Sequence, residues 1–542
     1  MLVSNRVDRL MRLVYIFGMF VLVALVGSAL AIRRLISCAM PRIQQRKTLQ
    51  RILATNAATP YGRSYGLACI DGYEAYSHYV SQNTYEDLRP WIERSITQGV
   101  NLLANCDIYK IGTTSGTTGQ PKSILQSRSL YRYEYFEYTV AILFRILLTS
   151  PLALLRPLGI IASASESVRY GTLQGNNAAN TLYRDSPFRS LAALPPMLFE
   201  LSNRRARYYY FGLFLTAARC RCLITPNPTT ILEILDAGTR HAEWFKTDFS
   251  NALSNWFDIP PLEWKALTDA WANIGDKRSI GTLLADVRLI VTWTRGSCGY
   301  FARRFSDRLK NVKVRELGYL ATDSPICVPV GGDDAQVLAV DSVFAEFTPL
   351  DGTDRRPRLY HELEDGLRYE ICVTNRYGLY RYMMHDIVEV RGRIFGSPIF
   401  HFVRKSSGFC NITGEKLSED QLCTAMSRIE SHLNVKVEFF VALPGIEFQG
   451  YEVFCDLVGD AVPRESSVGE ALDDVLCELN VEYRSKRRDG RLRPPRIILV
   501  AHGAAERYKH ALLCNGRRDV QFKMRHLLAD DSGRPLLLSL CG

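Results

Sequence analysis

The sequence predicts a layered α/β protein in two domains, a large one followed by a small α+β unit, with an apolar helix ahead of both. Three observations predict it. Short apolar runs alternate with helical stretches over most of a 542-residue chain, the mixture that layered α/β folds need. Beyond Arg404 the order becomes helix, two strands, helix, strand within about 140 residues, the size of a separate domain. From Leu13 to Ile32 twenty residues carry no charge, enough at about 1.5 Å per residue to span a bilayer core. The expected divisions are 1–40, 41–403 and 404–542.

The apolar stretch is bracketed by Arg12 on one side and Arg33 and Arg34 on the other, and reads as a single-pass transmembrane helix. Five cations follow it within fifteen residues against three before it, so the positive-inside rule favours a cytosolic body. The competing reading is a cleaved signal peptide with Ala29-Leu30-Ala31 as its cleavage site, which would put the body in the endoplasmic reticulum lumen or outside the cell. Net charge is +11, yet residues 1–50 hold eight cations and one acid and so carry +7 of it. A nucleic-acid binder spreads its basic excess over a folded face, so this balance argues against that class. The 14 cysteines form no CxxC pair and suit a reducing compartment.

Elements follow in order. Arg46–Ala54 is a helix ended by the turn residues of Thr59 to Gly62, and Tyr85–Thr97 is a second helix. Val140 to Ile161 contains Arg145, Pro151, Arg156 and Pro157, so it cannot span a membrane and reads as a buried helix, a loop and a strand. Helices are expected over Thr229–Ala237 and Tyr300–Leu309, and strands over Leu289–Trp293, Val337–Val340, Tyr369–Val373 and Ile387–Val390. In the small domain a helix covers Glu419–Leu433, strands Val435–Val441 and Tyr451–Leu457, a helix Ser467–Tyr483 and a strand Arg496–Val500. The basic run from Arg484 to Arg496 reads as a solvated helix end and loop, because no aromatics interleave it.

The most informative string is I-G-T-T-S-G-T-T-G-Q-P-K, Ile111 to Lys122. Glycines let backbone amides turn towards an anion, hydroxyls add donors, and Lys122 supplies a point charge. It is neither a Walker loop nor G-x-G-x-x-G. It resembles the S/T-S-G-T/S-T-G-x-P-K loop of the adenylate-forming superfamily, whose further motifs recur here in order. L-G-Y-L-A-T-D-S (Leu317 to Ser324) is similar to the motif whose aromatic lies by adenine and whose acid helps hold magnesium. Asp386, in L-Y-R-Y-M-M-H-D-I-V-E-V, stands where an acid binds the ribose hydroxyls, and Phe402-Val403-Arg404 resembles the hinge arginine. Gln521-Phe522-Lys523 resembles a Q-Y-K run that carries a lysine on a mobile C-terminal domain.

T-P-Y-G-R-S-Y-G (Thr59 to Gly66), T-Y-E-D-L-R-P-W-I (Thr84 to Ile92), P-N-P-T (Pro226 to Thr229) and L-Y-R-Y (Leu379 to Tyr382) are similar to blocks of the Gretchen Hagen family of acyl acid-amido synthetases. The resemblance implies an adenylate-forming fold using ATP and Mg2+. It implies that a carboxylic acid is activated as an acyl-adenylate and passed to an amino acid or other amine. It assigns the nucleotide to Thr114, Ser115, Gly116, Thr117, Thr118, Gly119, Tyr319, Thr322, Asp323, Asp386 and Arg404, magnesium to Asp323, and catalysis to Lys122 and Lys523. Two departures stand out. Asp323 replaces the usual Glu and is one methylene shorter. His385 replaces a common Gly, so its ring is expected to crowd the nucleotide or to forbid a backbone angle that Gly adopts easily. An acyl-coenzyme A ligase and a membrane-tethered pseudoenzyme that binds nucleotide without turnover are the alternatives.

Overall fold

The structure, a computed structural model, describes residues 2–541 except 114–121, 162–165, 170–171, 176–187, 189–190, 241–260, 273–282, 322–324, 331–334, 351–353, 406–408, 515–523 and the single positions 200, 202, 297, 310, 411, 414, 416, 446, 460, 489 and 491. The chain divides into two units: residues 1–384 with 388–402, and residues 385–387 with 403–542.

The first unit opens with α1 (Leu2–Ala39), which Pro41 interrupts to start α2 (Pro41–Asn56). Proline suits that position because its missing N–H would have no partner in the first turn anyway. Helix α2 carries Gln45 and Thr48 inward, where both are buried. Gln45 donates to the carbonyls of Val340 (3.1 Å) and Val343 (2.7 Å) and accepts from the Ala345 amide (2.9 Å), and Thr48 donates to Val340 (2.7 Å). Two polar side chains in a helix core are tolerated because each is hydrogen-bonded. After α3 (Gly72–Tyr79), α4 (Tyr85–Gln98) begins at Thr84, whose amide and hydroxyl both reach the Asp87 carboxylate at 2.7 Å. It ends at Gly99 in the left-handed conformation.

The strands of this unit run β1 (Lys110–Thr113), β2 (Ser123–Gln126), β3 (Gly159–Ile160), β4 (Glu166–Arg169), β5 (Thr172–Gly175), β6 (Cys222–Ile224), β7 (Leu289–Thr292), β8 (Lys313–Glu316), β9 (Cys327–Pro329), β10 (Gln336–Leu338), β11 (Val343–Pro349), β12 (Arg358–Leu359) and β13 (Arg368–Asn375), with most of β14 (Tyr382–Ile394) and β15 (Ser397–Lys405), whose residues 385–387 and 403–405 count with the second unit. They make three sheets, ordered β2-β1-β5-β4, β3-β6-β7-β8 and β12-β11-β13-β14-β15-β10-β9. The second is parallel throughout. Its central strands β6 (C-L-I) and β7 (L-I-V-T) are apolar runs because helices cover them, whereas β8 at the edge reads K-V-R-E: α5 (Phe136–Thr149), α6 (Arg204–Ala217), α7 (Thr229–Arg240) and α8 (Cys298–Arg308) share the sheet's two apolar clusters. The stretch from Val140 is a buried helix, a loop and a strand, as expected. Arg145 is buried within α5 and donates to the Glu316 carbonyl at 3.0 Å.

In the second unit α9 (Glu419–Leu433) is capped by Ser418, whose side chain accepts from the Gln421 amide. Strands β18 (Lys436–Gly445) and β19 (Gly450–Val458) pair antiparallel, and β20 (Arg496–Leu499) joins β19 in parallel; β16 (Phe409–Cys410) and β17 (Leu417–Ser418) form a small ribbon. The single helix expected over Ser467–Tyr483 is two, α10 (Glu465–Leu479) and α11 (Val481–Arg488). The break falls at Asn480, which bonds the Glu415 carbonyl and Gln421 through its amide nitrogen and accepts from the Tyr483 amide. Of the basic run, Arg487 makes a bidentate pair with Asp473, Lys486 meets Glu482 and Arg496 meets Glu452. Every described cysteine is a free thiol.

Candidate active site

In a parallel sheet every strand exits at the same edge, and ligands of open α/β folds bind there. After β6 come Pro226 and Asn227, after β7 Trp293 and Thr294, after β8 Leu317 to Tyr319. These segments are tied together. The Trp293 amide donates to Pro226 (3.2 Å) and the Leu317 amide to Thr292 (2.9 Å). The buried Glu316 carboxylate accepts from the Thr294 amide (2.8 Å) and hydroxyl (2.6 Å) and from the Gly318 amide (3.0 Å). Trp293 donates through its indole to the Gly318 carbonyl at 2.9 Å. Gly318 has φ +124°, and a Cβ there would sit 2.6 Å from the Tyr138 hydroxyl, so the turn presenting Tyr319 admits only glycine. Tyr319 itself is fixed by a bond from its amide to Gln336 (2.7 Å) and by its ring lying 5.6 Å from that of Phe402.

Lys122 lies where the loop re-enters β2. The antiparallel pairing of Thr113 with Ser123 brings the two ends of the loop together. Its ammonium stands 5.4 Å from the centre of the Tyr85 ring and 6.0 Å from that of Tyr382, within reach of both as a cation over aromatic faces. Tyr85 opens α4 and its hydroxyl accepts from the Ser123 amide at 2.8 Å, so the same ring holds both the lysine and the strand that follows it. Tyr382 opens β14, four residues before Asp386.

Asp386 is buried in β14. The preceding His385 has φ +54°, the left-handed angle that glycine adopts most easily. The expectation that a histidine would forbid this angle is therefore corrected: the backbone adopts it with the ring in place. Arg404, half-buried at the end of β15, lies with its guanidinium 5.6 Å from the Phe409 ring centre. Thr114, Ser115, Gly116, Thr117, Thr118, Gly119, Thr322, Asp323 and Lys523 lie outside the described residues. Among the described residues no group of three His, Cys, Asp or Glu could hold a metal ion. The contributions of Tyr85, Trp293 and Glu316 were not singled out from sequence. Tyr85 was visible inside the T-Y-E-D block, but nothing in the sequence pairs Glu316 with Thr294.

Comparison with known proteins bears on this frame. Residues 36–311 match the model of the GH3 family N-terminal domain, 336–405 that of its central domain and 420–532 that of its C-terminal domain. The chain is 22% identical to an Arabidopsis thaliana protein named indole-3-acetic acid-amido synthetase GH3.4, over 89% of each chain. It is 23% identical to jasmonoyl-L-amino acid synthetase JAR4 of Nicotiana attenuata, over 77% of this chain and 79% of that one. Its match to 4-substituted benzoates-glutamate ligase GH3.12 of Arabidopsis thaliana is 26% identical but spans about half of either chain, 46% and 47%. In fold it is similar to the GH3.15 acyl acid amido synthetase, with a TM-score of 0.80 at 18% identity over 94% and 95% of the two chains. A 2-hydroxyisobutyryl-CoA ligase shares the fold at a TM-score of 0.57.

Proposed function

The chain belongs to the GH3 family, and we propose from that premise that it is an ATP-dependent acyl acid-amido synthetase. The observation that carries the reading is Lys122, a cation held between two aromatic rings at the mouth of the Gly/Ser/Thr loop. In the first step a carboxylate oxygen of the acid attacks the α-phosphorus of ATP, the bond to the β-phosphate oxygen breaks, and pyrophosphate leaves. Negative charge grows on phosphate oxygens there, and a fixed cation with loop amides and hydroxyls stabilises it without reorganising. In the second step the amine attacks the acyl carbon, AMP leaves with the bonding electrons, and the amine loses a proton.

The roles follow residue type. Thr114 to Gly119 and Lys122 take the phosphates, Tyr319 with Thr322 takes the adenine side, and Asp386 accepts the ribose hydroxyls. Arg404 is the hinge residue between the large domain, 41–403, and a mobile small domain, 404–542. Lys523 reaches the acid and the α-phosphate in the first step. Asp323 is the residue for magnesium, which when bound neutralises charge on the leaving pyrophosphate. The helix from Phe17 to Ala39 is long and apolar enough to cross a membrane, and its engagement with one, the body on the ATP-containing side, completes the reading.

The test is pyrophosphate release by the purified chain with ATP and Mg2+ across a panel of carboxylic acids, followed by addition of amino acids or coenzyme A. Release with one class of acid and an amide with AMP on adding an amino acid is the expected result. A thioester instead would make it a coenzyme A ligase, and ATP binding without release on any acid would make it a pseudoenzyme.

A further inference from the structure

Helix α1 has two faces. On one, Met19, Val23 and Cys38 are buried and pack with Tyr138, Ile142 and Ile146 of α5. A Cβ on Gly27 would come within 2.5 Å of the Phe144 ring, and Arg33 forms ion pairs with Glu137 and Asp341. Together the Gly27–Phe144 and Arg33–Glu137 contacts set the two helices antiparallel. On the other face Phe17, Val21, Leu25, Ile32 and Ile36 stand 71%, 42%, 68%, 60% and 53% exposed, at the spacings of one helical stripe. Leu22 on α1 and Leu148 in the last turn of α5 are exposed as well. Past the stripe α2 presents Arg42, Arg46 and Lys47, all exposed, and ahead of it the sequence carries Arg6, Arg9 and Arg12.

We propose that this face docks in the plane of an anionic lipid bilayer, with α1 lying in the interface and the body attached along its inner side. The inference rests on the membrane engagement proposed above and replaces a crossing with docking. A crossing would have to strip the helix from α5 along most of its length, or carry the ion pairs of Arg33 with Glu137 and Asp341 towards hydrocarbon, where charge is expensive. An apolar stripe flanked by cations is instead the composition of helices that lie in the interface, apolar side in the acyl chains and basic side chains at the headgroups. A second copy is disfavoured as occupant because it would set one segment of charge +7 against another.

The test uses the full chain with phosphatidylcholine vesicles, with and without phosphatidylserine. Flotation with phosphatidylserine vesicles, lost in high salt, is expected. Binding should fall at least tenfold in Leu25→Glu/Ile32→Glu, and Arg42→Glu/Arg46→Glu should remove the preference for phosphatidylserine. Both variants should keep the thermal transition and pyrophosphate release of the parent, because every altered side chain points outward. In Ser4→Cys an impermeant maleimide should modify position 4 from outside the vesicle. Protection of position 4 with retained binding would overturn docking in favour of a crossing. No flotation at all would overturn docking and membrane engagement together, and leave the amide-forming reading to its own assay. A dimer in solution that Leu25→Glu/Ile32→Glu dissolves, without vesicle binding, would give the face to a second copy.

Discussion

Replacing Lys122 with Met keeps the aliphatic stem between the Tyr85 and Tyr382 rings and removes only the charge. The two rings, 5.4 and 6.0 Å from the ammonium, contribute about 0.5–1 kcal/mol each, more if desolvated. That is about the rotamer freedom a lysine loses on being fixed, roughly 2 kcal/mol, so the rings hold the cation in place at almost no net expense. Lys122→Met should then lower pyrophosphate release by about 100- to 1,000-fold, the effect of removing one electrostatic stabiliser of the transition state. Tyr85→Leu leaves the charge but loosens it, and should lower the rate by about tenfold, the equivalent of about 1.4 kcal/mol. In the double variant the tyrosine change should cost nothing further, because a ring cannot position a charge that is absent. Initial rates for all four chains, with ATP affinity measured separately and folding checked by thermal melts, make the cycle. Unchanged release in Lys122→Met, or fully additive losses, would refute the reasoning.

Arg381 makes two parallel bonds to the Glu346 carboxylate (2.9 and 2.7 Å) inside the core, so Arg381→Ala strands a buried charge and should destabilise the large unit by about 3–5 kcal/mol in urea unfolding; a loss under 1 kcal/mol would contradict it. His385→Gly removes left-handed strain and should stabilise by about 1 kcal/mol whereas His385→Ala should not, and destabilisation by glycine would show that the histidine side chain, not its backbone angle, matters there. Burial pushes the Glu415 carboxyl up, but bonds from Tyr451 and from the Ile412 and Thr413 amides outweigh it and hold the group below its ordinary 4.5. A depressed carboxyl stabilises fully above its unfolded value and progressively less as pH falls through the folded one, so acid unfolding of the small unit should steepen below about 4.5 and flatten in Glu415→Gln. Lys523→Ala should depress adenylation with little change in ATP affinity, and a preformed acyl-adenylate should restore amide formation; normal adenylation would remove Lys523 from the mechanism.

Most helices were legible because their signals are local. Thr84 with Asp87 and Gly99 bracket α4, and α9 spans Glu419 to Leu433 as expected, with Ser418 as its cap. Apolar strands such as β7 were legible for the same reason. The sheet of β1, β2, β4 and β5 was not: K-I-G-T, E-S-V-R and T-L-Q-G hold neither an apolar run nor clean alternation, and their pairing is decided by distant partners. The division of α10 from α11 escaped too, since Asn480 breaks the helix through contacts to Glu415 and Gln421, some sixty positions away. In the candidate site the ordered motifs marked Lys122, Tyr319 and Asp386. The buried Glu316 that braces the Tyr319 turn left no trace, because a carboxylate at the end of a strand reads as an ordinary exposed one.

Three of the four short blocks that mark the family touch one another. Tyr61 of the first block stacks on Tyr380 of the last (4.4 Å, 8°) and meets Trp91 of the second edge-on at 5.4 Å. Gly62 beside it has the Asn56 carbonyl where a Cβ would lie, at 2.1 Å, so that turn closes only with glycine. Asn83, just before the second block, donates to the Tyr380 carbonyl (2.7 Å) and the Arg381 carbonyl (2.8 Å), and Tyr85 of the second block and Tyr382 of the last are the rings near Lys122. Side chains buried against each other cannot also read an acid or an amine. These contacts make three of the blocks a frame of stacked and buried rings around Lys122.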